Sequence, residues 1–273
     1  MKQSTVVSLY KPKGITPYGL IEFFRHTHPQ YQESIIGYAG RLDPLAHGVM
    51  LLMIGDATKE RDKYLSLPKT YIVEALLGVE TDTYDALGLL KDVHVIARPQ
   101  RGKAISTLRN QINAFLSKNI GTQQQPYPPF SSKAVQGKPL HWWARNNKLA
   151  EIEIPNHEIT IHNITLQKVR EKATDVVADD IFQQISAVKG DFRQEEIKQA
   201  WEKLFTATNQ ETLQTVTIQI DCSSGTYVRS LVYEMGKALG TGAIALDLLR
   251  TRVGDYYLPL TDPLTKAHTR AIR

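Results

Sequence analysis

The sequence predicts an α+β fold, with a central, mostly antiparallel sheet flanked by helices and loops. Three observations carry this expectation. Apolar residues alternate with period two at Val216, Ile218, Ile220 and Cys222, as in a strand with one buried face. They recur at helical spacing at Ile105, Leu108, Ile112 and Phe115. Strands and helices then mix along the chain without the regular strand–helix–strand beat of a parallel sheet.

Val6 to Tyr10 reads as the first strand, closed by the turn Lys11-Pro12-Lys13-Gly14. Thr16 stands where a helix N-cap belongs and Pro17 at the first helical position, so a helix follows through Leu20, Ile21, Phe23 and Phe24. Gly37 to Pro44 reads as a loop by its glycines and proline. Val49 to Ile54 fits a buried strand or a helix start, closed by Gly55. Tyr71 to Leu77 is expected as a strand, followed by the polar loop Thr81-Asp82-Thr83-Tyr84-Asp85. After the helix around Ile112 comes a proline-rich loop, Pro126-Tyr127-Pro128-Pro129. Ile152/Ile154 and Ile159/Ile161 alternate as strands do. Val177, Ile181, Ile185 and Val188 predict one helix, and Ile197, Trp201, Leu204 and Phe205 another. Behind the strand ending at Cys222, Ser223 to Thr226 opens a helix carrying Val228, Leu231, Val232, Met235 and Leu239, with Gly240 as its cap.

The chain has 273 residues, 42% of them hydrophobic and 22% charged, a globular balance sufficient for a sizeable core. One cysteine, Cys222, leaves no disulfide framework, and the eight histidines show no ligand spacing, so neither a metal nor a cofactor is expected. No apolar run approaches the roughly 18 residues of a membrane span, and Met1 to Tyr10 is too polar for a signal peptide. The expectation is a cytoplasmic monomer that does not contact membrane. A net charge of +5 favours an anionic partner such as nucleic acid, though many basic proteins bind none. Walker or dinucleotide glycine loops and the G-x-S-x-G elbow are absent, which argues against those enzyme classes.

Several residues could carry chemistry. Asp43 precedes a proline, which biases its backbone to extended geometry. On a loop it is either a turn-forming residue or a carboxylate presented to a ligand. Tyr71 is either half-buried core or a platform for an unstacked base. Arg229, in the first turns of an otherwise apolar helix, either pairs with a buried carboxylate or covers apolar surface with its stem. Lys133 to Arg145 mixes lysines with His141, Trp142 and Trp143, and reads as an RNA-gripping loop or as a solvated connection, the two tryptophans leaning toward packing.

In order and spacing these segments resemble the TruB-type tRNA pseudouridine synthases. Lys11 to Thr16 is like the family's K-P-x-G-x-T/S, and Gly40 to Val49 like G-x-L-D-P-x-A-x-G-V. Gly55 to Lys59 matches G-x-A-T-K, Lys69 to Tyr71 matches K-x-Y, and Gly78 to Asp85 looks like G-x-x-T-D-T-x-D. Cys222 to Arg229 matches C-S-x-G-T-Y-I/V-R, and Leu248 to Gly254 resembles L-R-R-T-x-V-G. Each piece is weak alone, but the ordered set, over about residues 6 to 256, is specific.

The resemblance implies a pseudouridine synthase fold and isomerisation of a T-arm uridine in tRNA, after the base is flipped out of its stack. It implies that Asp43 is catalytic, as a nucleophile or by stabilising a glycal-type intermediate. Tyr71 would stack on the base and is a candidate for moving the proton, and Arg229 would pair with Asp43 and orient it. Leu248, Lys69, Lys11 and Tyr38 would lie on the substrate side. The expected boundaries are a catalytic domain over 1–256, an added helical segment at about 170–213, and a short tail at 257–273 in place of a full RNA-binding domain. Tyr38 departs from the usual histidine, and the Pro128-Pro129 loop is one residue shorter than usual before Gly137. A guide-RNA-dependent synthase and a non-catalytic tRNA-binding or folding factor are the alternatives. Intact Asp43, Tyr71 and Arg229 argue against the last, since binding alone does not require that trio.

Overall fold

The computed structural model describes residues 4–93, 103–258 and 268–270. In chain order the strands are β1 (Thr5–Lys11), β2 (Ile36–Ala39), β3 (His47–Ile54), β4 (Lys69–Leu77), β5 (Val79–Thr81), β6 (Leu90–Val93) and β7 (Gly121–Pro126). There follow β8 (Ala134–Val135), β9 (Lys138–Pro139), β10 (Asn156–Ala173), β11 (Thr212–Cys222), β12 (Ala243–Val253), β13 (Tyr256–Tyr257) and β14 (His268–Arg270). The helices are α1 (Pro17–Thr27), α2 (Arg61–Leu65), α3 (Lys103–Lys118), α4 (Leu140–Arg145), α5 (Thr174–Ala187), α6 (Gln194–Ala207) and α7 (Val228–Leu239).

Among the described residues ten strands form the main sheet, in the order β14-β1-β3-β12-β4-β11-β10-β7, with β2 on β3 and β13 on β12. Every pairing is antiparallel except β3 with β12, where Leu249 lies opposite His47 and Arg250 opposite Gly48. The expected α+β fold with a mostly antiparallel sheet is the observed one.

Alternation sorts the core onto two faces. On β4, Tyr71, Val73, Ala75 and Leu77 pack with Leu108 and Ile112 of α3 and with Val228, Val232 and Met235 of α7. Leu76 of β4 and Ile244 and Leu246 of β12 belong instead to a cluster with Val177, Ile181 and Ile185 of α5 and Ile197 and Trp201 of α6. β3 is buried on both faces, with Met50, Leu52 and Ile54 against α1 and Val49, Leu51 and Met53 against Tyr64 and Val253. A strand covered on both sides reads as an unbroken apolar run, which is why periodicity alone left it ambiguous.

The predicted caps hold. The Thr16 hydroxyl accepts from the Gly19 amide at 3.1 Å with Pro17 opening α1, and Gly240 closes α7 in the left-handed region. Two expectations are corrected. Gly37 to Ala39, expected as loop, belong to β2, which pairs with β3, Ile36 opposite Ile54 and Ala39 opposite Leu51, so the loop begins at Gly40. Ile152 and Ile154 are not in a strand. A 3-10 turn at Leu149–Glu151 precedes them and β10 starts only at Asn156, after Pro155, which has no N–H to give a ladder. Most of the tail expected over 257–273 lies outside the described residues. Among the described residues, no helix is long and apolar enough to cross a membrane.

Candidate active site

The Gly40–Ala46 loop, the N-terminal end of α7 and the loop after β5 converge on a cleft of 700 Å³. Asp43, Tyr71, Arg229, Leu248 and Lys69 all line it. Arg229 Nε donates to Asp43 Oδ2 at 2.7 Å. The arginine is 4% exposed and its other donors go to the Thr83 carbonyl and to the Phe130 carbonyl. A second carboxylate, Asp85, lies 3.6 Å from Arg229 Nε. Asp85 also accepts from the Thr83 hydroxyl at 2.7 Å and the Leu87 amide at 3.0 Å. Burial alone would push the Arg229 pKa down, but the Asp43 and Asp85 carboxylates more than offset that and raise it. Burial pushes the Asp85 carboxyl up, and Arg229 only partly opposes this. Arg229 is thus a cation fixed in one direction, with Asp43 the more exposed of its two carboxylates.

The loop that carries Asp43 is held from behind by two further cations. Arg250, 1% exposed, donates through Nε to the Val49 carbonyl at 2.7 Å and through Nη2 to the Gly40 carbonyl at 3.0 Å. Its backbone leaves no room opposite: at Gly48, with φ +115, a Cβ would lie 2.1 Å from the Arg250 carbonyl oxygen. Lys11 is wholly buried, and its Nζ donates to the Ala46 carbonyl at 2.7 Å and the Pro44 carbonyl at 3.4 Å.

Tyr71 sits beside this frame, its phenol raised in pKa by burial, an effect that the Arg250 charge opposes. Leu248 lies opposite Val73 in the next strand and is 8% exposed. Lys69 Nζ donates to the Leu65 carbonyl at 2.6 Å, and burial, reinforced by Arg250, pushes it down to about 8.

Two of the residues expected on the substrate side lie outside the cleft lining. Lys11 does not line the cleft: its ammonium is spent on loop carbonyls, so it holds the loop that carries Asp43. Tyr38 packs at the edge of the α1 cluster with Ile36 and Tyr31 and does not line the cleft either. The Lys133–Arg145 segment is packed at some of its side chains and open to the cleft at others. Trp143 is buried with its indole donating to the Val135 carbonyl at 3.1 Å, while His141 and Arg145 line the cleft. Asp85 and Arg250 stood inside quoted motifs, yet nothing local in the sequence marked them as partners of Arg229 and of the Gly40 loop.

Lys11 carries a test. Burial, reinforced by Arg250 and opposed by Asp43, pushes its pKa from 10.5 down to about 7. Between those values the unfolded chain binds more protons than the folded one, so this lysine makes stability rise with pH from about 7 to 10.5. Denaturant melts across that window are expected to rise less steeply for Lys11→Met than for the unsubstituted chain. Parallel profiles would contradict the buried-lysine account.

Residues 29–190 match the family model described as TruB family pseudouridylate synthase, N-terminal domain. A Desulfotalea psychrophila protein named tRNA pseudouridine synthase B is 32% identical over 256 residues, 93% of this chain and 83% of the relative. The chain belongs to the TruB family. Proteins of the same name from Bacillus cytotoxicus and Nitrosococcus oceani are 32% and 30% identical. This chain covers 67% of the first and 63% of the second. A solved structure titled as a Cbf5-Nop10-Gar1 complex shares the fold at TM-score 0.54 and 19% identity, over 94% of this chain and 51% of that one. The chain therefore spans about half of that structure's chain and about two thirds of several curated relatives. Within this TruB-family chain, the matched region holds Asp43, Tyr71 and Asp85, while Arg229, Leu248 and Arg250 arrive from beyond it, on α7 and β12. Among the described residues no group of three or more His, Cys, Asp or Glu side chains could hold a metal ion.

Proposed function

We propose that this chain isomerises uridine to pseudouridine in the T-arm of tRNA, with Asp43 as the catalytic aspartate. The observation that carries the reading is the buried Arg229, which pairs with a cleft carboxylate beside a tyrosine in a chain of the TruB family. The net reaction breaks the N1–C1′ bond and joins C5 to C1′, while the C5 proton leaves and N1 gains one. Asp43 acts on the sugar, by attacking C1′ or by supporting a glycal-type intermediate, and both routes need an aimed carboxylate. Tyr71 and Leu248 receive the flipped uracil, for which stacking contributes about 1–3 kcal/mol. Arg41 and Arg61 at the cleft rim suit phosphate contacts. The chemistry described needs no metal or cofactor. We also read residues 1–256 as the catalytic domain and the helices between 170 and 213 as an addition to it.

Loss of the C5 proton supplies the test. A tRNA transcript tritiated at uridine C5 is expected to release tritium to water when incubated with the protein alone. Retention of all tritium, with tRNA bound, would overturn the reading. Tyr71→Phe keeps the stacking ring and removes the hydroxyl. If the phenol moves the proton, release slows by about 10²–10⁴-fold, whereas an unchanged rate would confine Tyr71 to stacking.

A further inference from the structure

One cation outside the Asp43–Arg229 pair touches side chains of both segments whose carbonyls hold Arg229. Arg193 stands in the turn between α5 and α6, at φ 64. Its guanidinium donates to Asp82 Oδ2 at 2.8 Å and to Oδ1 at 3.2 Å. It also lies over the Phe130 ring, 4.7 Å from the centroid. Asp82 opens the loop whose Thr83 carbonyl accepts from Arg229 and whose Asp85 pairs with it. Phe130 supplies the other carbonyl, accepting from Arg229 Nη2 at 3.4 Å. Arg193 therefore ties together the two loops that enclose Arg229, using its charge on one and its flat face on the other.

The same α5–α6 turn reaches the Asp43 side. The Lys189 amide donates to the Gly14 carbonyl at 3.0 Å, and the Gly14 amide donates to the carbonyl of Pro44, next to Asp43, at 2.9 Å. Gly14 has φ +85, and a Cβ there would lie 2.3 Å from the Ala187 carbonyl oxygen, so the end of α5 sits against it too closely for any side chain. Two contacts of one turn thus reach both partners of the Asp43–Arg229 pair.

We propose that Arg193 is a positioning residue for the isomerisation, holding the Asp82–Asp85 loop and Phe130 so that Arg229 is aimed at Asp43. The proposal rests on the functional reading above. Lysine could meet Asp82 as a point charge but could not also present a flat, forked cation to Phe130. Two lesser roles compete: a purely structural tie, and a direct contact to an RNA phosphate, since Arg193 also lines the cleft.

Steady-state kinetics on an unmodified tRNA transcript separate them, comparing the unsubstituted protein with Arg193→Ala, Arg193→Lys and Asp82→Asn. Misaimed catalytic groups cost up to about 10²-fold. In Arg193→Ala, kcat is therefore expected to fall by about 10- to 100-fold with KM little changed, with partial recovery in Arg193→Lys. The double variant Arg193→Ala, Asp82→Asn should lose no more kcat than the worse single variant, because both act through one contact. An unchanged kcat overturns the proposal. If KM instead rises and the slope of affinity against salt drops by about one, Arg193 is a phosphate contact. Should Arg193→Ala fail to fold, Arg193→Lys and Asp82→Asn carry the same comparison. No product from the unsubstituted protein would overturn the functional reading itself, and the positioning role with it. Product with intact variant kcat overturns the positioning role alone.

Discussion

Asp43→Asn is expected to abolish pseudouridine formation, lowering the single-turnover rate by at least about 10⁴-fold, as loss of a reacting group does elsewhere. Binding of tRNA should be retained. The reason lies in what the amide keeps and what it loses. Asparagine fills the same space, and its carbonyl oxygen can still accept from Arg229 Nε, now 2.7 Å from Asp43 Oδ2. The loop carbonyls stay in the hands of Lys11 and Arg250. Only the negative charge and the nucleophilic oxygen are removed, so a large rate loss with intact affinity isolates chemistry from binding. A variant with near-normal rate would mean that another group acts on the sugar.

The second large effect is expected at Arg229. Arg229→Ala should destabilise the fold by about 3–5 kcal/mol, because it strands a buried carboxylate. At this chain length that is a fall in melting temperature of roughly 10 °C. Asp85 would lose its cation while remaining 6% exposed, and the Thr83 and Phe130 carbonyls would lose a donor. Activity should fall with stability, since Asp43 loses the partner that orients it. Arg229→Lys should rescue little, because one ammonium cannot reach Asp43, Asp85 and two carbonyls in the directions a guanidinium does. Adding Asp85→Asn to Arg229→Ala should restore part of the stability but none of the activity. Melting temperatures that fail to drop, or activity restored by the second substitution, would contradict the cage described for Arg229.

Much of the fold was legible because burial imposes periods on the sequence. Val216 to Cys222 announces a one-faced strand, and Val177, Ile181 and Ile185 a helix stripe, without help from any other residue. Where a segment is covered on both faces, as in β3, the period disappears and only tertiary context decides. Gly37 to Ala39 read as loop in the sequence because their strand character comes from pairing with β3, while Gly37 itself argues for a loop. Ile152 and Ile154 show the reverse error, alternation without a neighbouring strand to use it.

The site was legible in a different way. Locally, Asp43 suited a turn, Tyr71 a core strand and Arg229 an amphipathic helix. The common purpose proposed for them comes only from the ordered motifs, and the cleft lining brings all three together with Leu248 and Lys69. Lys11 shows the limit of carrying roles by motif. Lys11 keeps its place in the motif, but its ammonium turns inward to backbone carbonyls that no local pattern reveals. Arg193 was invisible for the same reason: its partner Asp82 lies 111 residues away in the chain.

The most direct measurement is the position of pseudouridine in an unmodified tRNA transcript after incubation with the purified chain alone. The account predicts one pseudouridine, at a T-arm uridine, formed without any added guide RNA and absent with Asp43→Asn. Unmodified transcript, or product that requires a guide RNA or survives Asp43→Asn, would contradict it.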